Sequence, residues 1–175
     1  MYPAALYAST FPTIISTLLG SCVAVCLYDP VKKVGGMNHY MLPFWNGEGL
    51  PSPKFGNVAI KMLIDKMTKQ GSKKDNLIAK VFGGAAVLET KRQVFFIGER
   101  NISIAYELLE KENIEIVAAS TGGNKGRKLL FNTFTGEVRQ KYIEKVVTGQ
   151  NAPAAKPALG QPDKNIKKPL FKRSI

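Results

Sequence analysis

A thiol and an imidazole in the N-terminal part of this sequence are the groups best suited to covalent chemistry. The chain has two cysteines, Cys22 and Cys26, and one histidine, His39. A nucleophile–base pair of cysteine and histidine can therefore be built in two ways only, and its chemistry would be attack on an acyl carbon. Cys22 is the better nucleophile on local grounds. It follows Gly20-Ser21, where a tight turn can expose a side chain and surround it with free backbone N–H groups. Those groups can lower a thiol pKa and hold an oxyanion. Cys26 lies between Val25 and Leu27, a setting in which a cysteine is usually an inert small hydrophobe. Residue types and spacing permit this pair without establishing it, because a lone histidine on a strand face is more often a satisfied core residue.

The elements that must position these groups follow from periodicity. Ser21–Tyr28 is small, β-branched and apolar, the pattern of a buried strand. At ~3.3 Å per residue its two thiols stand roughly 13 Å apart, too far for a disulfide. Strands are predicted at Thr13–Leu19, Cys22–Tyr28, Val34–Leu42, Leu77–Phe82, Val94–Ile97, Ile114–Ala119, Lys128–Asn132 and Glu137–Tyr142. If Val34–Leu42 is a strand, Met37, His39 and Met41 share one face. One helix is predicted from Asn57, with Ala59, Met62, Leu63 and Met67 on one stripe and Gly71 as its stop. A second is predicted from Asn101, read as an N-cap, with Ile102, Ala105, Leu108 and Leu109 aligned. Strands outnumber helices, and the fold class is α/β or α+β, a mixed sheet with at least two covering helices. Pro43–Phe55, rich in Gly and Pro and holding Trp45, is a loop after the histidine strand, either a substrate lip or a loop packed down by its Trp.

Composition narrows the function. One domain of ordinary size is expected over residues 1–147, and a tail over 148–175 whose Pro, Ala and Lys content predicts disorder. Gln150–Ile175 carries six Lys/Arg against Asp163, part of a formal net charge of +12. That charge suits an acidic partner or a solubilising surface. No apolar run approaches the ~18 residues of a membrane span, and the N-terminus lacks the basic start of a signal peptide. With no cysteine pair able to close, a reducing compartment, the cytoplasm, is expected. Zinc would need about four ligands where Cys22, Cys26 and His39 offer three. No DNA- or RNA-binding signature appears, and Gly122-Gly123-Asn124-Lys125-Gly126-Arg127 fails the spacing of a phosphate loop. Glycines there, as at Gly83-Gly84, let the backbone pass close to a substrate or simply make a turn.

Leu19-Gly20-Ser21-Cys22-Val23-Ala24-Val25, then Asp29-Pro30, then Gly36-Met37-Asn38-His39-Tyr40-Met41-Leu42-Pro43 resembles the signature of CheD, the bacterial chemoreceptor glutamine deamidases. Phe82-Gly83-Gly84-Ala85, Ile97-Gly98-Glu99-Arg100-Asn101 and Thr121–Arg127 resemble the same family in the same order, so the likeness runs from about Pro3 to Val147. The resemblance implies that Cys22 is the nucleophile and His39 its base. The family's third member, a threonine six positions before the cysteine, falls on Ser16, with Thr17 one place on. Ser16 is favoured on register, since neighbours on a strand face opposite ways. The residues expected to line the substrate are Gly20, Ser21, Asn38, Gly83, Gly84, Thr121, Gly122, Gly123 and Asn124. The implied reaction converts receptor glutamines to glutamate through a thioester, with no metal or organic cofactor. The implied fold is a sandwich with a papain-like Cys/His arrangement, similar to the cytotoxic necrotizing factor toxins. The implied partners are chemoreceptor cytoplasmic domains and a CheC-type phosphatase. A non-catalytic adaptor that binds receptors or CheC is the alternative.

Overall fold

The structure, a computed structural model, describes residues 1–86 and 95–143, with residues 95 and 96 as backbone only. Its strands are β1 (Ala5–Ser9), β2 (Ile14–Leu19), β3 (Val23–Asp29), β4 (Val34–His39), β5 (Ile78–Gly83), β6 (Glu115–Thr121), β7 (Gly126–Asn132) and β8 (Val138–Ile143). Two helices, α1 (Gly56–Lys69) and α2 (Phe95–Lys111), and a 3-10 turn at Lys74–Asn76 complete the described elements. A five-stranded sheet runs in the order β1-β4-β3-β5-β6, and a three-stranded sheet runs β2-β7-β8. All pairs are antiparallel except β5–β6. A parallel pair needs a crossover, which α2 supplies. The fold is thus mixed α+β, as the pattern of elements predicts.

Two cores hold the layers together. Helix residues Ala59, Ile60, Leu63, Met67, Ile104, Ala105 and Leu109 pack on Val23, Val25, Leu27, Ala79 and Val81 of the large sheet. On the sheet's other face, Ala24, Cys26, Met37 and Phe82 pack against Ile15, Leu19, Leu129 and Phe131 of the small sheet. Strand β3 is buried on both faces, which explains its unbroken apolar run. Each fully buried aliphatic chain contributes about 1.5–3 kcal/mol of transfer free energy.

The structure corrects several expectations. Residues 95–97 begin α2 and are not a strand, while Val94 lies outside the described residues, as does the basic tail. Since α2 is already helical at Phe95, Asn101 is an interior helical residue and not a cap. Met62 is 41% exposed, and Ile60 and Ile64 take the buried stripe of α1 instead. Strand β1 carries no alternating pattern to announce it. Pairing with β4, from Ala5 opposite His39 to Ser9 opposite Gly35, makes it a strand. Pro43–Phe55 is irregular, as expected, and is pinned by Trp45, whose backbone N–H donates to Asn57 Oδ1 and whose indole donates to the Glu48 carbonyl.

Candidate active site

The chain leaves the small sheet at Leu19 and enters the large one at Val23, so Gly20-Ser21-Cys22 is the elbow between the two layers. Each carbonyl of the elbow is held by a donor from elsewhere in the fold. Gly20 O accepts from Ala85 N at 2.8 Å, Ser21 O from Asn101 Nδ2 at 3.0 Å, and Cys22 O from Gly84 N at 2.8 Å. In a planar trans peptide the C=O and the next N–H point opposite ways. Tying down Gly20 O and Ser21 O therefore turns the Ser21 and Cys22 N–H groups away from those anchors; neither has a partner on another residue among the described residues, and the Cys22 N–H leans on its own sulfur. Two adjacent outward N–H groups beside a sulfur form a donor pair for a developing oxyanion.

Gly83 makes this close approach possible. Its φ is +111°, and a Cβ there would lie 2.2 Å from the Cys22 carbonyl oxygen. Any side chain would push the elbow off β5. Behind that turn, Gly98 of α2 sits against Gly84, where a Cβ would meet Gly84 O at 2.6 Å.

His39 ends β4 on the face turned to the small sheet and is buried. Its Nδ1 lies 2.8 Å from Thr17 Oγ1, and Thr17 Oγ1 also lies 2.9 Å from the Met1 carbonyl oxygen. A carbonyl can only accept, so the single hydroxyl proton of Thr17 goes to Met1 O. Thr17 must then accept from His39 Nδ1–H, which fixes the tautomer and leaves the Nε2 lone pair bare. Nε2 is buried with no partner among the described residues. Burial, aided by the positive amino terminus, pushes the imidazole pKa down to about 4. At neutral pH it is an uncharged base.

Register places both thiols near this base. Val23 pairs with Tyr40 and Cys26 with Met37, so Ala24 stands opposite His39. Cys22 and Cys26 are its two diagonal neighbours, at a Cα spacing of roughly 7–8 Å. Both belong to the same intersheet face. Cys22 is half-buried and Cys26 fully buried. Burial raises the Cys22 pKa, and its own backbone N–H draws it back in part. The expectation that the elbow depresses this pKa is not met, because desolvation outweighs the hydrogen bond. The resting pair is therefore thiol and neutral imidazole rather than thiolate and imidazolium. Burial raises Cys26 further, against a small opposing pull from Lys80.

A family model described as "CheD chemotactic sensory transduction" matches residues 41–142. A protein of Sulfurimonas denitrificans named "Probable chemoreceptor glutamine deamidase CheD" is 46% identical over 141 residues, covering 80% of this chain and 90% of that protein. One of the same name from Trichlorobacter lovleyi is 49% identical over 138 residues, covering 79% and 86%. The chain belongs to the CheD family. A more distant relative of that name, from Vibrio vulnificus, is 37% identical over 151 residues, covering 81% and 69%.

For this CheD-family chain the structure sorts the remaining expectations. The hydroxyl on the imidazole is that of Thr17, and Ser16 is the correction. Ser16 is half-buried on the opposite face of β2 and makes no contact with the imidazole, though with Leu18 and Lys128 it lines an open pocket of about 520 Å³ that Thr17 and His39 also border. Asn38 is fully buried; its Oδ1 accepts from Val25 N at 2.9 Å, filling a gap in the β3–β4 ladder, so it does not face a substrate. Gly83 and Gly84 support the elbow from behind. Gly122 N donates to Gly83 O at 2.9 Å, and Gly123 O accepts from Ala86 N at 2.8 Å, which brings the second glycine turn and Thr121 to the same end of the fold. Asn124 at its tip is exposed. Two residues that the sequence reading gave no part in the site belong to its frame. Arg127, buried, donates to Gly122 O at 2.8 Å and stacks on Tyr142. Asn101 reaches the elbow itself. The signal for both lay in motifs shared with the CheD family, whose residues carried no role from type alone.

Proposed function

We propose that this chain hydrolyses specific glutamine side chains of chemoreceptor cytoplasmic domains to glutamate, using Cys22 as nucleophile and His39 as base. The observation that carries the reading is the bare Nε2 of His39, its tautomer set by Thr17, on the same strand-pair face as the thiol beside two outward N–H groups. The names of the relatives supply the substrate class.

The reaction follows from these groups. His39 Nε2 takes the Cys22 proton as sulfur attacks the side-chain amide carbon, and the carbonyl electron pair moves onto oxygen between the Ser21 and Cys22 N–H groups. The proton passes from imidazolium to the amide nitrogen, the C–N bond breaks, ammonia leaves and a thioester remains. Water gives a proton to Nε2 and attacks the thioester. The C–S bond then breaks, sulfur recovers its proton, and glutamate is released. Acylation and deacylation each begin with a neutral imidazole, which a pKa near 4 provides. The Cys/His arrangement is papain-like, as in the cytotoxic necrotizing factor toxins. The site of action is the cytoplasm, where the receptor domains lie, and a CheC-type phosphatase is proposed as a second partner, testable by co-elution.

Peptide mass spectrometry of a chemoreceptor cytoplasmic fragment, before and after incubation with the protein, tests the reading. Conversion of particular glutamines to glutamate, with matching ammonia release and none from His39→Ala, is expected. An unmodified fragment overturns it.

A further inference from the structure

Asn101 is buried in α2, and both protons of its amide are spent on carbonyls of the site. Nδ2 donates to Ser21 O at 3.0 Å and to Met41 O at 2.9 Å. The first is the peptide oxygen whose partner N–H belongs to Cys22. The second lies just beyond His39 at the end of the histidine strand. One side-chain amide thus ties the nucleophile elbow to the base strand, just past the Val23–Tyr40 pair that closes the ladder. The Tyr40 hydroxyl in turn donates to the Asn101 carbonyl at 2.5 Å, fixing the helix at that turn against the same strand.

An asparagine is a poor choice inside a helix, since its side chain competes for backbone bonds. Here its Oδ1 is also buried without a partner among the described residues. A residue kept only for packing would be aliphatic and would avoid both costs. The elbow's other carbonyl anchors, Gly84 N and Ala85 N, are backbone groups. Among the described residues, Asn101 is the side chain that holds the Ser21–Cys22 peptide.

We propose that Asn101 is a positioning residue for the reaction: its amide sets the plane of the Ser21–Cys22 peptide, so that the Cys22 N–H faces the developing oxyanion, and fixes the elbow to the His39 strand. The inference rests on the proposed nucleophile role of Cys22. It makes Asn101 act in the transition state more than in substrate binding, so its loss falls on kcat.

Asn101→Asp is nearly isosteric but sets a carboxylate oxygen against two carbonyl oxygens. It should lower kcat on the order of 100-fold, with KM within about threefold of wild type. Asn101→Ala removes the clamp without adding repulsion and should lower kcat about tenfold. A packing role alone would lower the folded fraction in both variants and leave kcat per folded molecule and Cys22 alkylation unchanged. Cys22 alkylation by iodoacetamide supplies a readout that needs no receptor. It should slow several-fold in Asn101→Ala, because the Cys22 N–H no longer supports the thiolate. Unmodified Cys26 reports that the molecules counted are folded.

If Asn101→Asp does not fold, Asn101→Ala decides alone, by a kcat loss at unchanged KM with slowed Cys22 alkylation. An Ala variant that loses more kcat than the Asp variant, a loss confined to KM, or unchanged kcat and alkylation overturns the proposal. Those results leave the deamidase reading standing. That reading falls instead if the wild-type protein leaves the receptor fragment unmodified or if Cys22→Ala still converts it.

Discussion

Cys22 and Cys26 stand at the two diagonal positions about His39, on one face of one strand pair, and differ in what surrounds them. Cys26 lies inside the sheet, paired on both sides. Met37 lies opposite on β4 and Lys80 opposite on β5, the side chain is 1% exposed, and the residue belongs to the intersheet core. Around Cys22 the ladder has just ended. Its carbonyl is held from behind by Gly84, its N–H points out, and its side chain is half-buried. On the roles proposed for Cys22 and His39, nearness to the base does not by itself make a nucleophile. The strand end supplies access and N–H groups that no other residue claims, and the strand middle withholds both.

Cys22→Ala should lower glutamine conversion by at least about a thousandfold while the protein stays folded. Cys26→Ala should keep turnover within about twofold and cost about 1 kcal/mol of stability, read from urea unfolding. Conversion by Cys22→Ala, assayed site by site on a receptor fragment, would erase the distinction. The same contrast should appear without substrate. Iodoacetamide should modify Cys22 and spare Cys26 in the folded protein, with a Cys22 rate that keeps rising into alkaline pH because burial raises its pKa. A rate plateau below neutral pH would show a preformed thiolate and contradict the neutral resting pair.

The base between the two thiols gives a test of pH dependence. His39 has a folded-state pKa lowered from 6.5 to about 4, so the unfolded chain takes up its proton first as pH falls. Stability from this group is complete above about pH 6.5 and is lost as pH drops towards 4, by about 3 kcal/mol in all. Urea unfolding at pH 7 and pH 4.5 should show the loss, and His39→Asn should flatten it. An equal slope in the variant would assign the effect to other groups.

The smallest effects separate neighbours on β2. Thr17→Val keeps the shape and removes the hydroxyl, so His39 loses the acceptor that fixes its tautomer. Turnover should fall on the order of 10- to 100-fold with KM little changed. Ser16→Ala, on the outward face, should change turnover less than about twofold. A larger loss for Ser16→Ala in steady-state assays would reverse the assignment.

Much of this was legible in the sequence, and the failures have physical causes. The elbow after Leu19, the buried strand of Cys22–Tyr28 and the strand carrying His39 follow from local composition, since Gly-Ser between apolar runs has few other uses. The loop at Pro43–Phe55 follows likewise from its Gly and Pro content. Asn101 reads as a helix start because an asparagine before an apolar stripe is the usual mark of one. What keeps it in the helix interior is a pair of carbonyls on segments far away in sequence. The pKa of Cys22 was misjudged for a related reason, since the turn is local but the desolvation comes from the packed sheets.

The sequence by itself determined that a thiol at a Gly-Ser turn and a single histidine are available. The resemblance to CheD adds a hydroxyl five or six positions upstream, at Thr17 or Ser16. It could not say which hydroxyl. Residues 14–19 read Ile-Ile-Ser-Thr-Leu-Leu, so each face of the strand offers one isoleucine, one hydroxyl and one leucine. A period of two cannot choose between two equivalent sets. The choice came from pairing with β7, where Ile15 stands opposite Phe131, Thr17 opposite Leu129 and Leu19 opposite Arg127, all facing in. Only tertiary structure holds that information, because the register is set by a partner strand more than a hundred residues away.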